Sequence, residues 1–164
     1  MGKKIACHDV NNKLYKADIS DIVFRPSVYG ILIEKQRILL SKQWDGYDFP
    51  GGGIEIWENI ESALQREVWE ETGLKVRMDK IVHCEASFFK PSRVEEFWNC
   101  QLIYYLVKKI GGELSKDNFA KDEKKYVDMP EWVDLKNINK IKFYNPVDSV
   151  KLIKKAVKVL KSKN

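Results

Sequence analysis

Residues 52–74 read Gly52-Gly53-Ile54-Glu55-Ile56-Trp57-Glu58-Asn59-Ile60-Glu61-Ser62-Ala63-Leu64-Gln65-Arg66-Glu67-Val68-Trp69-Glu70-Glu71-Thr72-Gly73-Leu74. The middle of this stretch predicts a helix from Asn59 to Thr72. Asn59 is a good N-cap, because a short polar side chain can accept from the unpaired N–H groups of a first turn. Glu61 stands in that turn, where the helix dipole favours an anion, and Gly73 supplies a left-handed stop. With Ile60 at zero and about 100° per residue, Ala63, Leu64 and Val68 fall at about 300°, 40° and 80° and face a core. Glu67, Glu70 and Glu71 fall at about 340°, 280° and 20°, so three acids overlap the apolar arc while Gln65 and Trp69 point away from it. Carboxylates gathered at a core boundary repel one another and lose hydration, a cost of several kcal/mol unless something cationic lies among them. A hard divalent cation suits such oxygen ligands, either Mg²⁺ or Mn²⁺. Arg66, four residues before Glu70 and beside Glu67, can hold a carboxylate in a bidentate geometry, with Glu58 free to reach back to it. Gly51, Gly52 and Gly53 allow close backbone approach and offer carbonyl oxygens to a metal.

Before this stretch, Val28–Ile33 and Arg37–Ser41 are short apolar runs separated by Glu34-Lys35-Gln36, and they read as a hairpin. Trp44–Asp48 is turn chemistry, and Phe49-Pro50-Gly51-Gly52-Gly53 reads as a loop that no regular element easily crosses. After it, Leu74–Val76, Ile81–Phe89 and Phe97–Val107 read as strands, with a turn at Lys90–Arg93 and a break at Gly111-Gly112. Glu131–Leu135 reads as a short strand. Asn145-Pro146 predicts the cap and first residue of a final helix, with Val147, Val150, Ile153, Val157 and Leu160 as its apolar stripe. Strands dominate, with two helices on a mixed sheet, which argues for an α+β sandwich in one domain spanning residues 1–164. No repeat or linker divides the chain.

Apolar residues form 44% of the 164, and the mean hydropathy is −0.42, which excludes a disordered chain. No apolar run approaches the roughly 20 residues that span a bilayer, so no membrane role is expected. The two lysines near the N-terminus lead into no apolar stretch, so a signal peptide is not expected. Cys7, Cys84 and Cys100 are widely spaced and no C-x-x-C occurs, which points to a reducing, cytoplasmic setting. Cys7-His8 and His83-Cys84 are adjacent pairs rather than spaced zinc ligands and read as structural. The net charge of +5 is concentrated in the tail, where Lys151, Lys154, Lys155, Lys158, Lys161 and Lys163 have no acidic neighbour. A solvated helix face is the favoured reading of that stripe, with attraction of a polyanion as the alternative.

From Gly52 to Leu74 the residues match every specified position of G-x5-E-x7-R-E-U-x-E-E-x-G-U, where U is aliphatic. The stretch therefore resembles the Nudix box, and seven fixed identities at about 7% each arise by chance in about one chain in a million. The resemblance implies an α/β/α sandwich and Mg²⁺- or Mn²⁺-dependent cleavage of a phosphoanhydride bond in a nucleoside diphosphate linked to a moiety X. A modified nucleoside triphosphate or a nucleotide sugar is such a substrate. It also implies Glu67, Glu70, Glu71 and the Gly52 carbonyl as metal ligands, Arg66 and Glu58 as the pair that orients them, and Glu55 near the metal or a water beside it. Glu67 and Glu70 are both options for the general base. Many family members supply a base or ligand from a late loop, where Asp122, Glu123 and Glu131 stand, with Glu123 preferred. Among Trp44, Tyr47, Phe88, Phe89 and Trp98, which could stack on a base, Trp44 and Tyr47 are preferred as substrate contacts; core packing is preferred for Phe88 and Trp98. The alternatives are a pyrophosphohydrolase of RNA 5′ ends, suggested by the lysine-rich tail, and a non-catalytic nucleotide- or RNA-binding domain. Trp69 on the outer helix face could be covered by other parts of the chain or by a second copy in a homodimer.

Overall fold

The computed structural model describes residues 3–92, 94–115, 117–118 and 128–162. Its strands are β1 (Lys4–His8), β2 (Leu14–Asp18), β3 (Ile22–Ile31), β4 (Ile33–Glu34), β5 (Arg37–Gln43), β6 (Gly46–Asp48), β7 (Gly51–Gly53), β8 (Leu74–Phe89), β9 (Phe97–Gly112) and β10 (Glu131–Asp134). Two helices accompany them, α1 (Ile60–Thr72) and α2 (Ser149–Lys161). A six-stranded mixed sheet runs β2-β1-β8-β9-β3-β7, and β10-β5-β4 form a second, antiparallel sheet to which β6 adds by pairing with β5.

Alternation along β3 explains the layers, since successive strand residues face opposite sides. Val28 belongs to an apolar cluster with Ala63, Leu64 and Val68 of α1, and a side chain at Gly30 would meet Val68 and Leu64. Tyr29 and Ile31 face the other way, into a cluster with Ile38, Leu40, Tyr104 and the Leu152, Ile153 and Ala156 face of α2. One helix therefore covers each side, and the fold is the expected α/β/α sandwich. Each fully buried Leu or Ile contributes about 1.5–3 kcal/mol through this packing. No described helix is long and apolar enough to cross a membrane.

Helix α1 begins and ends as its sequence predicts. Asn59 accepts from Ser62 N at 2.9 Å, Ser62 Oγ accepts from Asn59 N at 3.1 Å, and Gly73 adopts φ 74°. Several other expectations are corrected. Gly51–Gly53 is a strand rather than a loop, because pairing with Ser27–Tyr29 satisfies its backbone at the sheet edge. Residues 74–89 form one strand with register shifts near Val76 and Ile81, and β9 continues through Gly111 to Gly112, which pairs with Leu74. The N-terminal hairpin was not foreseen, although Asp9 Oδ1 accepts from Asn11 N and Lys13 N and ties its turn. Helix α2 starts three residues later than Pro146. Asp148 caps it by accepting from Lys151 N at 2.9 Å, and the buried stripe is Ser149, Leu152, Ile153 and Ala156. Asn145 is instead engaged with Asp48, to whose Oδ1 its Nδ2 donates. Arg93 of the expected turn and Lys163 of the tail lie outside the described residues.

Candidate functional site

Arg66 organises one face of α1. Its Nε and Nη2 donate to the two oxygens of Glu58, both at 2.7 Å, in the bidentate fork that a guanidinium matches. Nη1 donates to Glu67 Oε1 at 2.9 Å and to Glu70 Oε2 at 3.1 Å, and Nη2 also reaches the Gly53 carbonyl at 3.1 Å. One side chain thus ties three acids to β7. The Arg66 fork holds the Glu58 carboxyl below its ordinary range. Glu58 is also locked from the loop side by Glu55 N, at 3.1 Å, while Glu55 itself is exposed.

Glu71 has a different environment. Its Oε2 accepts from Ser41 Oγ at 2.6 Å and from Gly51 N at 3.3 Å. Burial pushes its proton affinity well up; repulsion from Glu67 and Asp48 adds to this, and the Ser41 hydrogen bond opposes it. Gly52 presses on Glu67 from the other side, since a methyl there would lie 2.6 Å from both carboxylate oxygens. Among the described residues no three Asp, Glu, His or Cys groups already converge as a metal cage. Arg66 draws Glu67 and Glu70 one way, and Ser41 draws Glu71 the other. The donor set nonetheless fits a hard dication: three carboxylates and nearby glycine carbonyls, one of the acids buried without a cationic partner among the described residues.

On the opposite face of β3 and β7 lies a cleft of about 300 Å³. Gly52, Gly53 and Glu71 line one part of it; Trp44, Tyr144, Phe89 and Trp98 supply aromatic walls. Trp44 packs edge-on to Tyr144 at 5.3 Å, and Phe89 lies 6.4 Å from Trp98. Asp48 also lines the cleft. Its Oδ1 accepts from Phe49 N at 2.8 Å and from Asn145 Nδ2 at 2.9 Å, and Asn145 Oδ1 accepts from the Tyr104 hydroxyl. Burial raises Asp48 to about 6.

The structure brings Glu58, Arg66, Glu67 and Glu70 into one hydrogen-bonded group, and Trp44, expected as a substrate contact, lines the cleft. Tyr47 stands apart from the cleft lining, packed against the core, with its hydroxyl donating to Glu131 Oε2 at 2.7 Å. Lys42 Nζ holds the other Glu131 oxygen at 2.7 Å and keeps that carboxyl below its usual range. Asp122 and Glu123 lie outside the described residues. Trp98, expected in the core, packs half-buried against it and also walls the cleft, and Phe88 is half-buried. Ser41, Asp48 and Arg25 were missed. A serine closing the apolar run of β5, only 2% exposed, was the available signal for Ser41. Cys7, Cys84 and Cys100 are free thiols, and Trp69 stays 42% exposed.

A family model described as the NUDIX domain matches residues 23–153. An 8-oxo-dGTP diphosphatase of Buchnera aphidicola is 30% identical over 115 residues, covering 63% of this chain and 82% of the relative. An ADP-ribose pyrophosphatase of Methanocaldococcus jannaschii is 32% identical over 133 residues, covering 78% of this chain and 70% of the relative. The crystal structure of an ADP-ribose pyrophosphatase from Streptococcus suis superposes with a TM-score of 0.65 at 16% identity, covering 85% of this chain and 94% of that one.

Proposed function

The chain belongs to the NUDIX family of hydrolases acting on pyrophosphate bonds, and on that premise we propose that it is a divalent-metal-dependent pyrophosphohydrolase of nucleoside diphosphates linked to a moiety X. Modified nucleoside triphosphates and nucleotide sugars are the substrate types. One observation carries the reading: a single guanidinium holds Glu58, Glu67 and Glu70 together beside a buried Glu71 that has no cationic partner among the described residues. The two relatives support the coarse substrate class, since both names refer to a nucleotide derivative containing a diphosphate.

In this reading Glu67, Glu70, Glu71 and the Gly52 carbonyl hold Mg²⁺ or Mn²⁺, and Arg66 with Glu58 fixes their geometry. When bound, the dication neutralises diphosphate charge and lowers the pKa of an attacking water. Glu67 or Glu70 accepts the proton of that water, both carboxylates being positioned by Arg66 Nη1. Ser41 holds Glu71 from the β5 side. Trp44 contacts the base or X in the cleft; Tyr47 supports that wall from the Glu131 side, and Glu55 stands at the outer rim of the carboxylate patch. Glu123 is the late-loop alternative to Glu67 or Glu70 as that base.

A phosphate-release assay with Mg²⁺ or Mn²⁺ across oxidised and ordinary triphosphates, nucleotide sugars and dinucleoside polyphosphates tests the proposal. Glu70→Gln and Glu71→Gln, made separately, should each abolish most turnover; near-wild-type turnover of either at saturating Mg²⁺ contradicts the ligand assignment. A second reading, cleavage at the 5′ end of RNA, is favoured by Lys151, Lys154, Lys155, Lys158 and Lys161, all exposed on α2. Hydrolysis of RNA through such a surface weakens steeply with ionic strength, whereas that of a mononucleotide responds less.

A further inference from the structure

Arg25 is a positive charge without a counter-charge among the described residues. It lies on β3, two residues before Ser27, on the face turned away from α1. Its guanidinium carbon sits 4.5 Å from the centre of the Trp98 ring. On its other side it rests on Gly53, where a methyl would come within 2.6 Å of Nη2 and 2.8 Å of Cζ. The guanidinium therefore lies against both an indole ring and bare backbone while lining the cleft, where its donors are available to a ligand. Among the described residues none of its N–H groups reaches an acceptor, and no carboxylate pairs with it. It is also the only cationic residue among the described ones that line the cleft, whose lining includes the acids Asp48 and Glu71.

The location gives this charge a purpose. Gly52 abuts Glu67, and Gly53 abuts Arg25, so the carboxylate patch and the guanidinium occupy opposite faces of one three-residue strand. That strand is the edge of the six-stranded sheet. A diphosphate reaching around this edge to the carboxylate patch brings its next oxyanion to the Arg25 side. Without Arg25, the charged side chains left to meet it among the described cleft residues would be Asp48 and Glu71, both acids. A neutral nucleobase would need no cation here, whereas a phosphoryl group does.

We propose that Arg25 binds a phosphoryl oxygen of the substrate on the cleft side of β7, holding the nucleoside-bearing phosphate while the anhydride lies at the carboxylates. This rests on the pyrophosphohydrolase reading and adds the residue that registers the substrate along the edge. Trp98 and Gly53 act as positioning residues for the guanidinium.

The test uses the full chain and its Arg25→Gln, Arg25→Lys and Gly53→Ala variants. Calorimetry with chelator present compares AMP and GMP with adenosine and guanosine, and steady-state kinetics follow whichever panel substrate the wild type cleaves. Arg25→Gln should weaken monophosphate binding by about tenfold or more, the worth of a charge-assisted hydrogen bond, and leave nucleoside binding within about twofold. Its KM should rise further than its kcat falls. Arg25→Lys should restore part of the affinity, and Gly53→Ala, which pushes the guanidinium aside without removing charge, should fall between. Equal losses for monophosphate and nucleoside, or an unchanged KM in Arg25→Gln, overturn the proposal. A wild type that binds AMP or GMP through Arg25 yet cleaves nothing in the panel sinks the hydrolase reading instead.

Discussion

Adding one methyl group in turn to Gly51, Gly52 and Gly53 should separate three physical roles held by consecutive residues. At Gly52 the methyl would lie 2.6 Å from Oε1 and Oε2 of Glu67. A comfortable carbon–oxygen contact is about 3.3 Å, so the carboxylate must retreat by about 0.7 Å. The atoms that give way are the tip of a flexible side chain, and Gly52 has no left-handed φ, so Tm should move by no more than about 2 °C. Catalysis should be less forgiving: misplacement of a reacting group by about 1 Å costs on the order of 100-fold, so turnover of Gly52→Ala should drop about 10- to 100-fold. More Mg²⁺ should be needed for half-saturation.

Gly51→Ala should behave in the opposite way. Gly51 has φ 152°, and a methyl there meets the Val28 carbonyl and the Tyr29 backbone, which cannot swing aside. Strain of about 2 kcal/mol, or roughly 4–8 °C in Tm for a chain of this size, is expected. Gly53→Ala should spare both Tm and Mg²⁺ dependence and raise KM through Arg25. The assays are phosphate release over a Mg²⁺ series and thermal unfolding. A Gly52→Ala enzyme with more than half the wild-type turnover and an unchanged Mg²⁺ midpoint would refute the packing of Gly52 on a metal ligand, and a fully stable Gly51→Ala would refute the strain.

Arg66→Lys should lower turnover by about 100-fold or more, because an ammonium cannot reproduce a fork that engages Glu58, Glu67, Glu70 and the Gly53 carbonyl together; turnover within threefold of wild type would show that charge alone suffices. Ser41→Ala removes the 2.6 Å donor to Glu71, so Glu71 should hold its proton more tightly and half-saturating Mg²⁺ should rise severalfold, more at acidic than at neutral pH; an unchanged metal midpoint counts against Glu71 as a ligand. Burial raises Asp48 to about 6, so the folded state binds this proton more tightly than the unfolded chain does, and stability contributed by the group declines as pH rises from its ordinary value through about 6. Asp48→Asn, which keeps an acceptor for Asn145 and Phe49, should therefore gain Tm relative to wild type above pH 6 and not near pH 4; a Tm difference that is the same at both ends excludes this account.

What the sequence disclosed and what it hid follow one physical division. Helix α1 was legible because its determinants are local: Asn59, Ser62 and Gly73 act within a turn of where they stand, and the 3.6-residue period brings Arg66, Glu67 and Glu70 into reach. Ser41 and Glu71, by contrast, meet only through tertiary packing across 30 residues. The link from Asp48 to Asn145 spans 97 residues, and nothing near Asn145 announces it, so a cap was the local inference. Gly51–Gly53 was misread because glycine has little intrinsic strand preference; what selects it there are the Val28 carbonyl, Glu67 and Arg25, none of which is adjacent in sequence. Arg25 drew no attention because a lone arginine in an apolar stretch has no spacing signal. Its meaning depends on the parallel pairing of β3 with β9, which brings Cys100 opposite it and Trp98 beside it.

The narrowness of β7 connects these observations. A strand without side chains is the thinnest partition a sheet can offer, and at its edge one substrate can touch both faces. On the α1 face most of the groups are acids whose spacing one thirteen-residue helix dictates, so in the proposed reading the geometry of bond cleavage is set largely within a short stretch of sequence. On the cleft face the groups come from β3, β6, β8, β9 and the segment before α2, so the shape offered to the nucleoside or to X depends on how distant elements pack. Arg25 belongs to this second set but reaches the partition itself, through Gly53. It thus couples where the substrate sits in the cleft to where its anhydride lies among the carboxylates, a coupling that neither face alone can provide.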